Sequence, residues 1–241
     1  MTELWRQTPA SIVPAHFGSR VLALADGTVF ATTGDRFTPA NRELAQDPSA
    51  AYGVTIHVTG DGAPVLDASV TTEALPEVLT YGHRNVQGAA IHPDTGAIWT
   101  LEHGPAGGDE LNIITPGANY GWPEVSYGVN YNGSDVGTGE QAHAPAYVEP
   151  RYFWDPSIAP SDLIFYDGEM FADWQGDILM GALAGRALVR LDMEGETVIG
   201  EERLLDGIHR VRDVAIDSDG AILIISDADE GRLIRLTPAA D

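Results

Sequence analysis

A short unit recurs along this chain: an apolar run, a tight turn built on Asp and Gly, and a second apolar run. The clearest copy is Val21-Leu22-Ala23-Leu24, the turn Asp26-Gly27, then Thr28-Val29-Phe30-Ala31-Thr32. Asp-Gly between two strand-like runs is a hairpin signal, because the turn needs backbone angles that glycine reaches without strain. The layout returns at His92-Pro93-Asp94-Thr95-Gly96 ahead of residues 97–101, and at Asp217-Ser218-Asp219-Gly220 ahead of residues 221–226. A looser copy, Asp173-Trp174-Gln175-Gly176-Asp177, precedes residues 178–183. Strands also fit Thr55–Val58, residues 187–192 and residues 232–236, and Leu233-Ile234-Arg235-Leu236 echoes Leu188-Val189-Arg190-Leu191. The copies are unequally spaced. A unit of roughly 40–50 residues with loop insertions nevertheless fits a β-propeller, whose blades are small antiparallel sheets. Long helical periodicity is absent, and the best helix candidate, residues 40–47, is short. The fold class is therefore all-β, with the 241 residues and 44% apolar content sufficient for one domain over 1–241.

Charge narrows the partners. The chain carries 36 acidic and 13 basic residues, a formal charge of −23, and every basic residue is an arginine. Nucleic acid is bound mainly through basic patches, so it is excluded as a partner, and anionic membrane surfaces are disfavoured for the same reason. The acids are scattered, as on a solvated surface. Without cysteine there is neither a disulfide nor a thiolate metal site, which leaves oxygen and imidazole as metal ligands. The first residues have no basic segment followed by an apolar one, and no run of about 18 apolar residues occurs, so no membrane insertion is expected.

Residues 81–122 hold the chemistry. Tyr-Gly-His-Arg-Asn-Val-Gln-Gly, Glu-His-Gly-Pro-Ala-Gly-Gly-Asp-Glu and Asn-Tyr-Gly-Trp-Pro are separated by two short apolar runs, 89–91 and 98–101. Such a pattern places polar and aromatic side chains on loops held by strands. At residues 81–87, 102–110 and 119–123 the chain resembles the soluble pyrroloquinoline quinone (PQQ) dependent sugar dehydrogenases, and among them the aldose sugar dehydrogenase branch. The resemblance extends through His16-Phe17-Gly18-Ser19-Arg20, Thr33-Gly34-Asp35-Arg36, Pro156-Ser157-Ile158-Ala159-Pro160, Gly181-Ala182-Leu183 and Arg210-Val211-Arg212-Asp213.

That resemblance implies a six-bladed propeller with PQQ at one end of its central channel, above a bound Ca²⁺. It implies His16 as the base and Arg84 as a second catalytic group. It implies cofactor contacts at Arg84, Asn85, Tyr131, the 182–184 segment (Ala182, Leu183, Ala184), Arg210, Val211 and Arg212. Calcium under the cofactor would be held by main-chain carbonyls at Gly104 and Pro105, and a second, structural calcium by Glu110 and Tyr120. An aldose substrate, an external electron acceptor and a periplasmic or extracellular location are further implications. The chemistry of these residue types agrees: a neutral imidazole suits removal of a hydroxyl proton near neutrality, guanidinium forks suit the three carboxylates of PQQ, and calcium prefers oxygen ligands.

Taken one at a time the same residues have plainer readings. His16 is a turn or edge histidine, Glu110 a solvated acid, Arg210 and Arg212 a solvated strand face. His83, His103 and His209 are structural, and Trp122, Trp154 and Trp174 are blade packing. The chain also departs from the family pattern. By blades of about 45 residues, roughly a blade and a half precedes the base in the family, whereas His16 stands near the start of this chain, so about four to five blades are expected here. A lysine that some relatives place at 182–184 is absent, which leaves its contact to backbone or to Arg186. Two other classes remain open on sequence: an inactive propeller serving as a binding module, and a metal-dependent lactonase-type hydrolase.

Overall fold

The computed structural model describes residues 1–66, 70–71 and 73–239. Its strands form four antiparallel sheets. The first pairs β1 (Gly18–Ala23), β2 (Val29–Thr33), β3 (Thr55–Val58) and β4 (Val78–Thr80) in chain order. The second pairs β5 (Val86–Ile91), β6 (Ile98–Glu102), β7 (Asp109–Ile113) and β8 (Tyr152–Trp154), and the third β9 (Pro160–Phe165), β10 (Ile178–Ala182), β11 (Ala187–Glu194) and β12 (Thr197–Leu204). The fourth has β13 (Val211–Ile216), β14 (Ile222–Ser226) and β15 (Leu233–Leu236). The Asp26-Gly27, 92–96 and 217–220 turns join the first two strands of sheets one, two and four, and the 173–177 turn does so in sheet three. The echo between Leu188–Leu191 and Leu233–Leu236 is positional, since β11 and β15 are each the third strand of their sheet.

The first strands pack side by side, β1 on β5, β5 on β9 and β9 on β13, so the sheets radiate from a common axis as propeller blades do. Side chains alternate across each strand, and in the third sheet both faces are covered. Ile178, Met180, Val189 and Leu191 pack toward Trp99, Leu101, Leu111 and Trp154 of the second sheet. Leu179 and Leu188 pack the other way, with Val211, Val214, Ile222 and Ile224 of the fourth. Phe30, Leu79, Ala89 and Tyr120 fill the space between sheets one and two. Strands buried on both faces read as unbroken apolar runs, which is why Ile178-Leu179-Met180 shows no polar alternation.

Among the described residues the ring is open: they form four blades, the lower of the numbers expected, and β13 does not pack back on β1 as the other inner strands pack on one another. The outer face of the fourth sheet is bare, with Ile225 46% and Leu233 72% exposed. The helix expected at 40–47 is shorter and split. An α-turn, α1 (Pro39–Arg42), capped by the Thr38 hydroxyl, passes into a 3-10 turn at Glu43–Gln46. Pro48 ends it, because proline drives the residue before it into extended geometry, and Asp47 has φ −110°.

One buried carboxylate ties the second sheet to the third. Asp109 is wholly buried; its Oδ1 accepts from Gly104 N at 2.8 Å, and its Oδ2 from Ser157 Oγ, Ile158 N and Ala159 N at 2.7–2.8 Å. Removing it leaves two buried backbone donors, Gly104 N and Ile158 N, without partners, while Ala159 N keeps only the Ser157 hydroxyl at 3.3 Å. Asp109→Ala is expected to lower unfolding free energy by about 2–5 kcal/mol, read from urea midpoints at constant slope.

Candidate active site

Antiparallel pairing decides where the loops gather. Gly18 pairs with Thr33, Val86 with Glu102, Pro160 with Ala182 and Val211 with Ser226, so the start of each inner strand lies beside the end of its neighbour. His16, Asp35 and Phe37 therefore share one end of the blades with Arg84, Asn85, Gly104 and Pro105, with Ala182, Leu183 and Ala184, and with Arg210, Val211 and Arg212. Two glycines permit the close approach. A Cβ on Gly34 would strike the His16 carbonyl, and one on Gly104 the carbonyls of Gly107 and Gly108.

His16 is held by a buried carboxylate. Its Nδ1 lies 2.6 Å from Asp35 Oδ1, and its side chain is 13% exposed. Asp35 is buried and fixed in turn: Oδ1 also accepts from Phe37 N at 2.8 Å, and Oδ2 from Trp122 Nε1 at 2.9 Å. A carboxylate on Nδ1 sets the tautomer with the proton there and leaves Nε2 as the free acceptor. The backbone is strained locally, with His16, Arg36 and Phe37 at φ 47°, 59° and 70°. Such angles in non-glycine residues are unfavourable and collect at functional sites. They place the Phe37 ring edge-on to the imidazole at 5.0 Å and 6.5 Å from the Tyr131 ring.

Asp35, Phe37, Arg84, Pro105, Trp122 and Tyr131 line a cavity of about 270 Å³ together with Pro39, Arg42 and Asn130. Buried Arg84 donates through Nη1 to the carbonyls of His103 at 3.0 Å and Gly104 at 2.6 Å, and through Nη2 to Tyr131 Oη at 3.2 Å. The Gly104 carbonyl is thus already turned toward a cation. Asn85 braces the same end, its Oδ1 accepting from Gly18 N at 3.2 Å and Gln87 Nε2 at 3.0 Å. His103 donates from Nε2 to the Pro160 carbonyl at 2.6 Å, and burial keeps it below the ordinary imidazole range, hence neutral.

Behind Arg84 lies a void of about 10 Å³ lined by Glu102, Glu110, Tyr120 and His143 among others. That is room for a single water or ion. Burial pushes Glu102 up, but the His83 imidazole at 2.8 Å and the Arg84 N–H at 2.7 Å outweigh it and leave the carboxylate below its usual range. Burial raises Glu110, while His143, though buried, is raised by the same contact at 3.1 Å. Asn112 Oδ1 is buried with no partner among the described residues. The Tyr120 hydroxyl donates to the Ile113 carbonyl at 2.6 Å and burial pushes it up to about 12. The Glu102 and Glu110 carboxylates that line this void are oxygen donors of the kind a hard cation takes, although among the described residues no three His, Cys, Asp or Glu side chains are grouped to hold a metal ion.

The remaining expected contacts stand apart from this cavity. Arg210 and Arg212 meet at Asp227, at 2.8 and 3.2 Å, and Arg210 Nη1 also donates to the Leu183 carbonyl at 3.2 Å. Val211 is buried and accepts Ser161 Oγ on its carbonyl. Ala182 is buried and Ala184 exposed, and the amides of Leu183 and Ala184 bond to Ala159 and Ile158. Arg186 is turned elsewhere, onto the Gly207 and Ile208 carbonyls. Trp154 and Trp174 pack as expected, but Trp122 is corrected: it belongs to no strand, and its indole N–H holds Asp35 at the cavity wall. Asp35, Phe37 and Arg42 received no role from the sequence. Asp35 alone had a signal there, the Gly34-Asp35 turn inside a motif already noted.

One layer below, the third residues of β1, β9 and β13 form a polar belt. Arg20 Nη2 lies 3.1 Å from Asp162 Oδ1, and Asp162 is hydrogen-bonded to Asp213. Burial, reinforced by the Asp213 carboxyl and opposed by Arg20, pushes Asp162 up to about 8.

Residues 1–235 match the family model described as Glucose / Sorbosone dehydrogenase. Aldose sugar dehydrogenase YliI of Escherichia coli K12 is 33% identical over 238 residues, covering 98% of this chain and 63% of that protein. A crystal structure of a glucose dehydrogenase superimposes with a TM-score of 0.92 at 38% identity, over 98% of this chain and 68% of the other. The PQQ-bound aldose sugar dehydrogenase of Streptomyces coelicolor gives 0.72 at 27% identity, over 92% and 62%. The chain spans 56–63% of the length of the curated relatives it matches.

The Asp162 environment fixes a pH dependence. Folded, the carboxyl keeps its proton to about pH 8, whereas unfolded it has lost it above its ordinary 3.8. The folded state then binds the extra proton, so stability falls as pH rises between these values. Asp162→Asn is expected to flatten that fall, seen as a smaller difference between urea midpoints at pH 5 and pH 8 than in the wild type.

Proposed function

The chain belongs to the glucose/sorbosone dehydrogenase family, and from that membership we propose that it oxidises aldoses at C1 to lactones with PQQ and calcium, passing electrons to an external acceptor. The observation that carries this reading is the His16–Asp35 pair, whose carboxylate lines the same cavity as Arg84. PQQ, when bound, would supply a quinone that accepts a hydride, and calcium would make that quinone more electrophilic.

Each residue then has a task set by its own chemistry. Nε2 of His16 removes the proton of the C1 hydroxyl as the C1 hydrogen leaves with its electron pair, closing the C1 carbonyl of the lactone. Asp35 fixes the ring and favours the imidazolium that forms, acting through His16. Arg84 aims positive charge into the cavity, where a guanidinium stabilises developing negative charge more strongly than it does in water. Gly104 and Pro105 would offer carbonyls to calcium at the cavity edge, and Glu110 with the Tyr120 carbonyl would hold the second ion in the void behind it. Arg210, Arg212 and Asn85 would meet the cofactor's polar rim. Phe37 and Tyr131 at the mouth shed water from the site.

Reconstitution with PQQ and Ca²⁺, followed by dye reduction with a panel of aldoses, tests this. Turnover is expected with the wild type. His16→Ala should lose about 10²–10⁴-fold in kcat with PQQ affinity unchanged. Asp35→Asn should lose activity with a changed pH profile, since the amide no longer enforces one tautomer. Absence of turnover at saturating PQQ and calcium would reject the assignment.

A further inference from the structure

Most arginines of this acidic chain sit on a carboxylate. Arg20 pairs with Asp162, Arg151 with Glu196, Arg190 with Asp177 and Glu202, Arg203 with Glu201, and Arg235 with Asp217 and Asp219. Arg42 and Arg84 do not: no acidic oxygen of the described residues lies within ion-pair distance of either. Both stand over the indole of Trp122, their guanidinium carbons 4.4 and 5.2 Å from its ring centroid, and both line the 270 Å³ cavity. In both, Nε is buried and has no hydrogen-bond partner. Arg42 is anchored through Nη1 alone, to Asn130 Oδ1 at 2.9 Å. The Asp35 carboxylate at the cavity wall is already taken by His16, Phe37 and Trp122.

Two like charges with no acidic oxygen in ion-pair range are unfavourable, and desolvation holds the Arg42 guanidinium below its ordinary value, opposed by the more distant Glu43 and Asp35 and aided by Arg84. With 36 acidic residues in the chain, a partner for Arg42 from within would have been easy to supply. The arrangement makes sense if the counter-ion arrives with a ligand. We propose that Arg42 is a carboxylate-binding residue, paired with Arg84 beside Trp122 as a two-guanidinium clamp for a carboxylated ligand entering this cavity. The carboxylate has two possible sources, the PQQ cofactor of the function proposed above or an acidic sugar such as a uronate. The cofactor source rests on that function, whereas the clamp itself does not.

Calorimetric titration of the full chain separates these. The probes are PQQ in calcium buffer, its trimethyl ester, and benzene-1,3,5-tricarboxylate, with wild type, Arg42→Gln and Arg42→Lys. Loss of a charge-assisted contact should weaken binding of PQQ and of the tricarboxylate by roughly 10- to 100-fold in Arg42→Gln and leave the ester unaffected. Arg42→Lys keeps the charge but lacks the fork, so its affinity should fall between the two; it also serves if the Gln variant fails to fold. If PQQ affinity is unchanged while kcat/KM for galacturonate drops by that factor relative to galactose, the carboxylate is the substrate's. Arg42-dependent binding of the tricarboxylate without any binding of PQQ would reject the proposed function and keep the clamp. Wild-type protein that binds neither acid, or variants that match wild type with PQQ, tricarboxylate and galacturonate alike, would overturn it.

Discussion

The buried carboxylate of Asp35 is the constraint on which the site end of the molecule depends. It accepts from an imidazole ahead of β1, from a backbone amide in its own loop and from an indole almost ninety positions away in sequence, while its own N–H reaches the Arg84 carbonyl at 2.8 Å. Loops from the first two blades are therefore fixed to one another at the point where the chemistry is read. A carboxylate buried this way is stable only while its donors stay in place, because a lost donor leaves charge without compensation. The strained angles at His16, Arg36 and Phe37 persist for the same reason: several contacts determine that loop together.

Around this anchor the electrostatics run against the rest of the surface. A net charge of −23 makes the exterior uniformly repulsive to anions. Arg42 and Arg84 gather at one cavity instead, both over Trp122, and Arg36 stacks 3.9 Å from the Phe17 ring. Aromatic faces and backbone carbonyls solvate these guanidiniums where a carboxylate would neutralise them. The positive potential is thus kept for whatever enters, within walls of low polarisability that screen it little.

Much of this was legible in the sequence because its cause is local. The Asp/Gly turns at Gly27, Gly96 and Gly220 needed positive φ and have it, at 85°, 71° and 87°, and the strands flanking them followed. His16, Arg84, Gly104 and Pro105 came from linked motifs, and blade topology carried them to one end. What was not legible depends on distance in the fold. Nothing in the letters joins Trp122 to Asp35, or places Arg42, in a turn whose pattern suggested only a short helix, over the same indole. Burial of Glu110 was equally hidden, since an isolated glutamate reads as solvated until His143 and Asn112 are seen against it.

The bare outer face of the fourth sheet gives the two halves of the site end unequal footing. β13 is packed on one side only, against the third sheet, while Leu223, Ile225 and Leu233 face water on the other. Elements with fewer apolar contacts open at lower free energy than those packed on both faces. Arg210 and Arg212 ride on that sheet, whereas His16 and Arg84 stand on blades braced by Phe30, Leu79 and Trp99. The end of the blades that carries these side chains accordingly has one stiff side and one compliant side, and any opening of that end falls first to the compliant one.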